Sequence, residues 1–121
     1  MTQSYDAIII GAGISGAAIA YELSKKGYKT VNVEKLDAAG YGSTANTCAI
    51  IRTHYSTLDG TALAYDGYFY WKKWGEYIGD TDEMGPAKFY DVGFLIVKPE
   101  SFELSKYIKL HDELNIPYEI W

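Results

Sequence analysis

The sequence predicts an α/β fold that begins with a βαβ unit, and three features of its first 34 residues support this prediction. The apolar run AIII at 7–10 is typical of a buried strand and leads directly into the glycine-rich stretch GAGISG. Helical spacing follows and ends in KKG at 25–27, with cations in the last turn and then a glycine. A second apolar strand is predicted at 30–33 and ends at Glu34.

The three glycines have the spacing GxGxxG, which lets a backbone approach a phosphate. Gly13 is placed for that approach, because a side chain there would hold phosphate oxygens away from the backbone N–H groups. Gly11 permits the turn out of the strand, and Gly16 lets the helix pack against the sheet. Glu34 follows Gly16 by 18 positions, close to the roughly 20 expected for an acid that binds a ribose. We predict a Rossmann-like dinucleotide site; the alternative is a glycine turn without a ligand.

The middle of the chain predicts a loop and a long helix. Residues 35–48 are rich in glycine, alanine and hydroxyl side chains, and predict a loop that leads into a short helix near Ser43 and Thr44. Residues 59–78 place aromatic and aliphatic side chains near helical spacing, which we interpret as the core face of a helix. The turn-rich stretch 79–87 is a candidate boundary.

The last third of the chain predicts strands around one helix. FYDVGFLIV at 89–97 predicts two short strands or one bulged strand, and a helix is expected to start near Pro99. IPYEIW at 116–121 predicts a further strand. The chain would then contain an incomplete dinucleotide-binding segment at 1–85 and the beginning of a mixed-sheet domain at 86–121.

The net charge and the cysteine content of the chain exclude some classes of partner and cofactor. The net charge of −5 and the pI near 4.9 argue against nucleic acid, since no basic stripe is available to neutralise phosphates. The single cysteine, Cys48, excludes an internal disulfide framework and offers no metal-ligand spacing with the two separated histidines, so we expect a small buried thiol and no metal. This cysteine usage fits a reducing cytoplasm best. The apolar stretch within residues 1–20 has no basic residues before it and is interrupted by the glycine loop, so neither a signal peptide nor a membrane span is predicted.

Three stretches, in this order, resemble the amino-terminal part of the flavoprotein family of D-amino-acid, glycine and sarcosine oxidases and their dehydrogenase relatives. They are IIIGAGISGAAIAYELSKKGYKTVNVEK, GSTANTCAIIRTHY and VGFLIV, and the resemblance covers nearly the whole chain. The first stretch is shared by many dinucleotide-binding proteins, and the second, at its distance from Glu34, indicates this family.

The resemblance implies FAD as the cofactor and assigns residues to it. The glycines match those over the pyrophosphate, Glu34 the ribose-binding acid and Lys35 a basic residue beside the adenine. Ser43 and Thr44 match a hydroxyl pair that bonds the pyrophosphate from its second side, although each could equally be an ordinary helix cap. The predicted cofactor-binding residues are Gly11, Gly13, Ile14, Ser15, Gly16, Glu34, Lys35, Ser43, Thr44 and Ile50.

The resemblance also implies a substrate site. Ile50, Arg52 and Tyr55 match a stretch beside the flavin ring that supplies an arginine for a substrate carboxylate, a role suited to the planar guanidinium. A surface salt bridge is the alternative for Arg52. His54 completes the predicted catalytic set, with a partly buried structural histidine as its alternative. Asn46 stands where some relatives attach flavin through a histidine.

The implied activity is oxidation of the C–N bond of a small amine or amino-acid substrate. The alternatives are a nicotinamide-dependent Rossmann dehydrogenase and a non-catalytic truncated remnant. Two parallel strands leave apolar faces uncovered, and the chain ends on Trp121 directly after a strand pattern. We therefore expect a fragment that holds FAD poorly by itself, with the missing strands supplied by a complementing chain or an oligomer.

Overall fold

The computed structural model describes residues 3–79 and 83–121, which form two compact units that divide between Ile50 and Ile51. The first unit contains strand β1, helix α1 and strand β2, and the second contains helices α2, α3 and α4. Their bounds are β1 Ala7–Ile10, α1 Ile14–Lys25, β2 Thr30–Val33, α2 Leu58–Lys72, α3 Trp74–Ile78 and α4 Leu104–Glu113.

The first unit is a βαβ unit, as predicted. Strands β1 and β2 are parallel and in register from Ala7 opposite Thr30 to Ile10 opposite Val33, and α1 packs on both strands. Alternation along β1 buries Ile9, which is 8% exposed, and turns Ile8 and Ile10 to the other face of the sheet. One face of the sheet therefore carries the helix.

Helix α1 begins and ends where the sequence predicts. Gly13 is its N-cap residue, and the last turn closes with the Lys26 N–H on Leu23 O at 3.1 Å and the Gly27 N–H on Ser24 O at 2.9 Å. Gly27 has φ +85°, a conformation that glycine adopts without the steric cost of a side chain. The cation and glycine pattern thus indicates the true end of the helix.

The short helix predicted near Ser43 and Thr44 is not formed. Residues 39–46 make consecutive turns, with the Ala45 N–H on Gly40 O at 2.9 Å. The Asn46 side-chain amide donates to Gly42 O at 3.0 Å. Glycine is a poor helix former, and a side-chain amide that bonds a nearby carbonyl competes with helical pairing, so turns replace the helix.

The predicted helix over 59–78 is two helices, α2 and α3, separated at Lys73. The Thr57 hydroxyl caps α2 by accepting the Gly60 N–H at 3.2 Å. The aromatic and aliphatic side chains of 59–78, predicted as the core face of a helix, do not form a core in this unit: Leu63 is 75% exposed and Tyr70 is 50% exposed. Helices α3 and α4 are the elements that pack on α2 among the described residues, and they leave much of its surface uncovered.

The strands predicted at 89–97 and 116–121 are not formed by the described residues. A strand needs a neighbour for its backbone hydrogen bonds, and none is present here for either segment. Side chains hold the first segment instead: the Tyr68 hydroxyl donates to Asp91 Oδ2 at 2.7 Å, and Lys72 Nζ lies 3.3 Å from the same oxygen.

Helix α4 begins later than predicted, because Pro99 O accepts the Phe102 N–H at 2.9 Å in a turn. The candidate boundary at 79–87 includes residues 80–82, which lie outside the described residues. The division into 1–85 and 86–121 stays a prediction. Among the helices described, none has both the length and the apolar character needed to cross a membrane.

Candidate dinucleotide site

The loop between β1 and α1 depends on each of its three glycines for a different reason. Gly11 has φ +106°, which side-chain-bearing residues rarely adopt. A Cβ on Gly16 would collide with the carbonyl oxygen of Gly11, and a Cβ on Gly13 would lie 3.0 Å from Thr44 Oγ1. The loop is therefore closed at Gly16, and at Gly13 the Thr44 hydroxyl lies in contact with the space that a side chain would fill.

The N-terminus of α1 presents backbone N–H groups to a ligand. The Ile14 N–H donates to Thr44 Oγ1 at 3.0 Å, so one amide is already satisfied. The Gly13 and Ser15 N–H groups have no hydrogen-bond partner among residues 3–79 and 83–121. Ser15 is exposed, and the positive end of the helix dipole lies here, so the arrangement fits an anion such as a pyrophosphate.

Glu34 is tied to this loop by its carboxylate. Oε2 accepts the Ala12 N–H at 2.8 Å, and Oε1 accepts the N–H groups of Lys35 at 2.8 Å and Leu36 at 3.0 Å. The Ala12 hydrogen bond, followed by that of Leu36, holds the pKa of Glu34 below its usual value. The residue predicted to bind a ribose is therefore ionised and fixed in place beside the glycine loop.

Asn32 is a residue of this site that was not predicted from the sequence. It lies opposite Ile9 in the β2 register, on the face that carries α1. Its Nδ2 donates to Gly11 O at 3.1 Å and to Gly16 O at 3.2 Å. The signal was an amide in the otherwise apolar stretch VNV, since a polar side chain in a half-buried strand requires partners.

The other predicted cofactor residues differ in their contact with the loop. Thr44 is half-buried and reaches the first turn of α1 through its hydroxyl. Ser43, Lys35 and Ile50 are exposed, and Ile50 is 75% exposed. Cys48 is also exposed, so the expectation of a buried thiol is wrong.

The second unit holds the three predicted catalytic residues, and it brings two of them together. The Arg52 guanidinium lies over the Tyr55 ring, 5.2 Å from its centroid, and both side chains are exposed. Arg52 has no ion-pair partner among the described residues. A guanidinium in this state is available to a carboxylate or phosphate.

His54 lies in an aromatic cluster instead. Its ring stacks on Tyr107 with centroids 4.4 Å apart, and His111 meets it edge-on at 5.7 Å. The Nε2 atoms of both histidines are buried without a hydrogen-bond partner in the described part of the chain. Burial lowers the pKa of both imidazoles, and the nearby Lys98 charge lowers that of His54 further, so both rings are neutral near pH 7.

The sequence matches the family described as FAD dependent oxidoreductase over residues 6–121. A protein of Dictyostelium discoideum named as a bifunctional amine oxidase is 29% identical over 99% of this chain and 11% of its own length. A glycerol 3-phosphate dehydrogenase of Caloramator mitchellensis is 33% identical over 93% of this chain and 27% of its own length. A protein of Arabidopsis thaliana named as a sarcosine oxidase is 38% identical over 42% of this chain and 12% of its own length.

No solved structure matches the chain. The chain spans from about a tenth to about a quarter of the length of these curated relatives. The glycine loop, the open amides at the start of α1 and the ionised Glu34 agree with the FAD dependence of the matched family. Because that match extends over nearly every residue, the chain belongs to the family of FAD-dependent oxidoreductases.

Proposed function

We propose that this chain supplies the part of an FAD site that holds the adenosine diphosphate half of the cofactor, in an enzyme that oxidises the C–N bond of an amino acid or secondary amine. The observation that carries the proposal is the pair of unpartnered N–H groups, Gly13 and Ser15, at the start of α1. FAD, when bound, supplies the electron acceptor for the oxidation.

The proposed cofactor contacts divide among three parts of the first unit. The Gly13 and Ser15 amides, with Ile14 beside them, would hold the pyrophosphate. Glu34 would accept a hydrogen bond from the ribose through Oε2, which accepts one backbone N–H and has a lone pair left, whereas Oε1 accepts two. Thr44, together with Ser43, would face the pyrophosphate from its second side, and Lys35 would lie beside the adenine.

The proposed substrate contacts come from the second unit. Arg52 would pair with a substrate carboxylate, and the ring of Tyr55 supports its guanidinium from one side. His54 is proposed as a proton acceptor because burial keeps its imidazole neutral. The relatives named as amine oxidase and sarcosine oxidase support an amine substrate.

A second candidate function is oxidation of a phosphorylated alcohol. It is favoured by the glycerol 3-phosphate dehydrogenase relative, which matches 93% of this chain. Arg52 would then pair with a phosphate, which its planar donors suit equally well. The two candidates share the cofactor site and differ in the substrate.

In this proposal, another polypeptide segment or a complementing chain packs on the exposed face of the β1–β2 sheet. Ile8 is 68% exposed and Ile10 is 92% exposed on that face, and parallel sheets are normally covered on both faces. We therefore expect this chain alone to bind FAD with a dissociation constant above the micromolar range.

The cofactor proposal is tested by FAD titration of this chain, followed by flavin fluorescence. Gly13→Ala places a methyl group against Thr44 Oγ1 and in the path of the pyrophosphate, so its affinity for FAD should fall at least tenfold, roughly the effect of losing one good hydrogen bond to a charged group. The control is Gly67→Ala on α2, where a Cβ meets nothing within 4 Å. Equal affinities of the two variants for FAD would refute the proposed pyrophosphate site.

The substrate proposal is tested without oxygen on the FAD-loaded enzyme formed by this chain and its complementing segment, by bleaching of the flavin absorption. Bleaching by sarcosine or D-alanine supports the amine reaction, and bleaching by glycerol 3-phosphate alone supports the second candidate. If that enzyme binds FAD and no substrate bleaches it, the non-catalytic alternative is correct. A colourless chain that binds NAD in preference to FAD would favour the nicotinamide alternative.

A further inference from the structure

The peptide group between Gly11 and Ala12 is hydrogen-bonded at both its C=O and its N–H. The partners are the side chain of Asn32 in β2 and the side chain of Glu34, which follows β2 directly. The carbonyl oxygen of this peptide accepts from Asn32 Nδ2 at 3.1 Å, and its N–H donates to Glu34 Oε2 at 2.8 Å. The C=O and N–H of a trans peptide point in opposite directions, so two contacts at these ends fix the orientation of its plane. Asn32 and Glu34 are two residues apart and lie on the same side of the chain.

Asn32 also joins the two ends of the glycine loop. Its second amide proton bonds Gly16 O at 3.2 Å, in the first turn of α1. The two carbonyls that it bonds bracket Gly13 and Ser15, whose N–H groups are open. One NH₂ group has two protons, and both are used here.

An apolar residue could not replace these contacts. A valine at position 32 would leave Gly11 O without its partner, close to the first turn of α1, and Gly16 already fits so tightly that a Cβ there would collide with that oxygen. A carbonyl that loses its partner in a part-buried place tends to turn towards water. That rotation would also turn the Ala12 N–H away from Glu34 and move the amides that follow.

We infer that Asn32 is a positioning residue for the cofactor: together with Glu34 it fixes the Gly11–Ala12 peptide, and thereby the direction in which the Gly13 and Ser15 amides point. The inference rests on the proposed role of this loop in binding a pyrophosphate. The hydrogen bonds of the Asn32 side chain to described residues go to backbone carbonyls. Its effect should therefore be specific to ligands that carry a pyrophosphate.

The test compares ADP with adenosine as probes, by ¹H–¹⁵N titration of this chain. Asn32→Val should weaken ADP binding roughly tenfold, the effect of about two neutral hydrogen bonds, and change adenosine binding less than about twofold. Thr30→Val is the matched control, since it removes a polar group from the same face of the same strand and should change neither. Asn32→Ser keeps one hydrogen-bond donor, so its affinity for ADP should lie between those of the unaltered chain and Asn32→Val. It replaces the valine variant if that variant does not fold.

Equal weakening of ADP and adenosine, or no weakening of either, would overturn the inference. If the unaltered chain binds neither probe, the proposed function fails, and hydrogen exchange of the free chain decides the role of Asn32. The Ala12 amide, protected by Glu34, should then exchange at least tenfold faster in Asn32→Val than in Thr30→Val. Equal exchange rates would show that Asn32 does not position the loop.

Discussion

Gly16→Ala is expected to destabilise the first unit by about 3 kcal/mol, the upper part of the range for inserting a methyl group into a packed site. The new Cβ would collide with the carbonyl oxygen of Gly11 and approach Asn32 Nδ2 to 3.3 Å. The amide could turn away, but the carbonyl belongs to a backbone held at both ends of its peptide. The start of α1 must therefore move away from the sheet.

The loss of stability is measured by amide hydrogen exchange at the end of the sheet that lies away from the glycine loop. The Asp6 N–H donates to Lys29 O at 2.8 Å and opens when the strands separate, so 3 kcal/mol corresponds to roughly a hundredfold faster exchange. Gly67→Ala, in open space on α2, should instead stabilise its helix by about 0.5–1 kcal/mol. An unchanged Asp6 exchange rate in Gly16→Ala would refute the reasoning that this carbonyl is fixed.

Three further predictions follow from the charges. Burial lowers the pKa of His54 and His111 below the usual 6.5, so the unfolded chain takes up protons first. The free energy of unfolding should be fully retained above pH 6.5 and fall as the pH drops below it, as measured by urea unfolding with tryptophan fluorescence; a flat profile would contradict this. Glu34→Gln removes a charged acceptor and should weaken FAD binding about tenfold in a fluorescence titration, with Glu100→Gln unchanged. Arg52→Met should lower kcat/KM for an amino-acid substrate at least roughly tenfold at unchanged flavin content, and normal kinetics would assign Arg52 a structural role.

The first unit could be predicted from the sequence because its signals are local. The apolar runs, the GxGxxG spacing and the KKG ending each act within a few residues, and β1, α1 and β2 have the predicted bounds. Glu34 was placed beside the loop by the same spacing. Asn32 was missed because strand prediction weighs the apolar neighbours and overlooks the one polar residue whose partners, Gly11 and Gly16, are distant in sequence.

The second unit was less predictable because its expected elements depend on partners. The residues at 89–97 are rich in aromatic and aliphatic side chains, as strands are, but a strand exists through hydrogen bonds to a neighbour that the local sequence does not specify. Asp91 contacts Tyr68 and Lys72 of α2 instead. His54 was predicted either beside a substrate or as a partly buried structural histidine, and its stacking on Tyr107 could not be inferred because the two residues lie far apart in sequence.

The claim that the glycine loop holds the cofactor's pyrophosphate is tested most directly by locating the bound nucleotide. A ¹H–¹⁵N titration of this chain with FAD, at concentrations that saturate the flavin fluorescence change, reports which amides are perturbed. We predict the largest shifts at Gly13 and Ser15, whose N–H groups are open, and smaller shifts at Ile14, whose N–H is bonded to Thr44. Riboflavin, which lacks the pyrophosphate, should leave these amides unmoved. Saturation with FAD that shifts none of the three amides would contradict the claim.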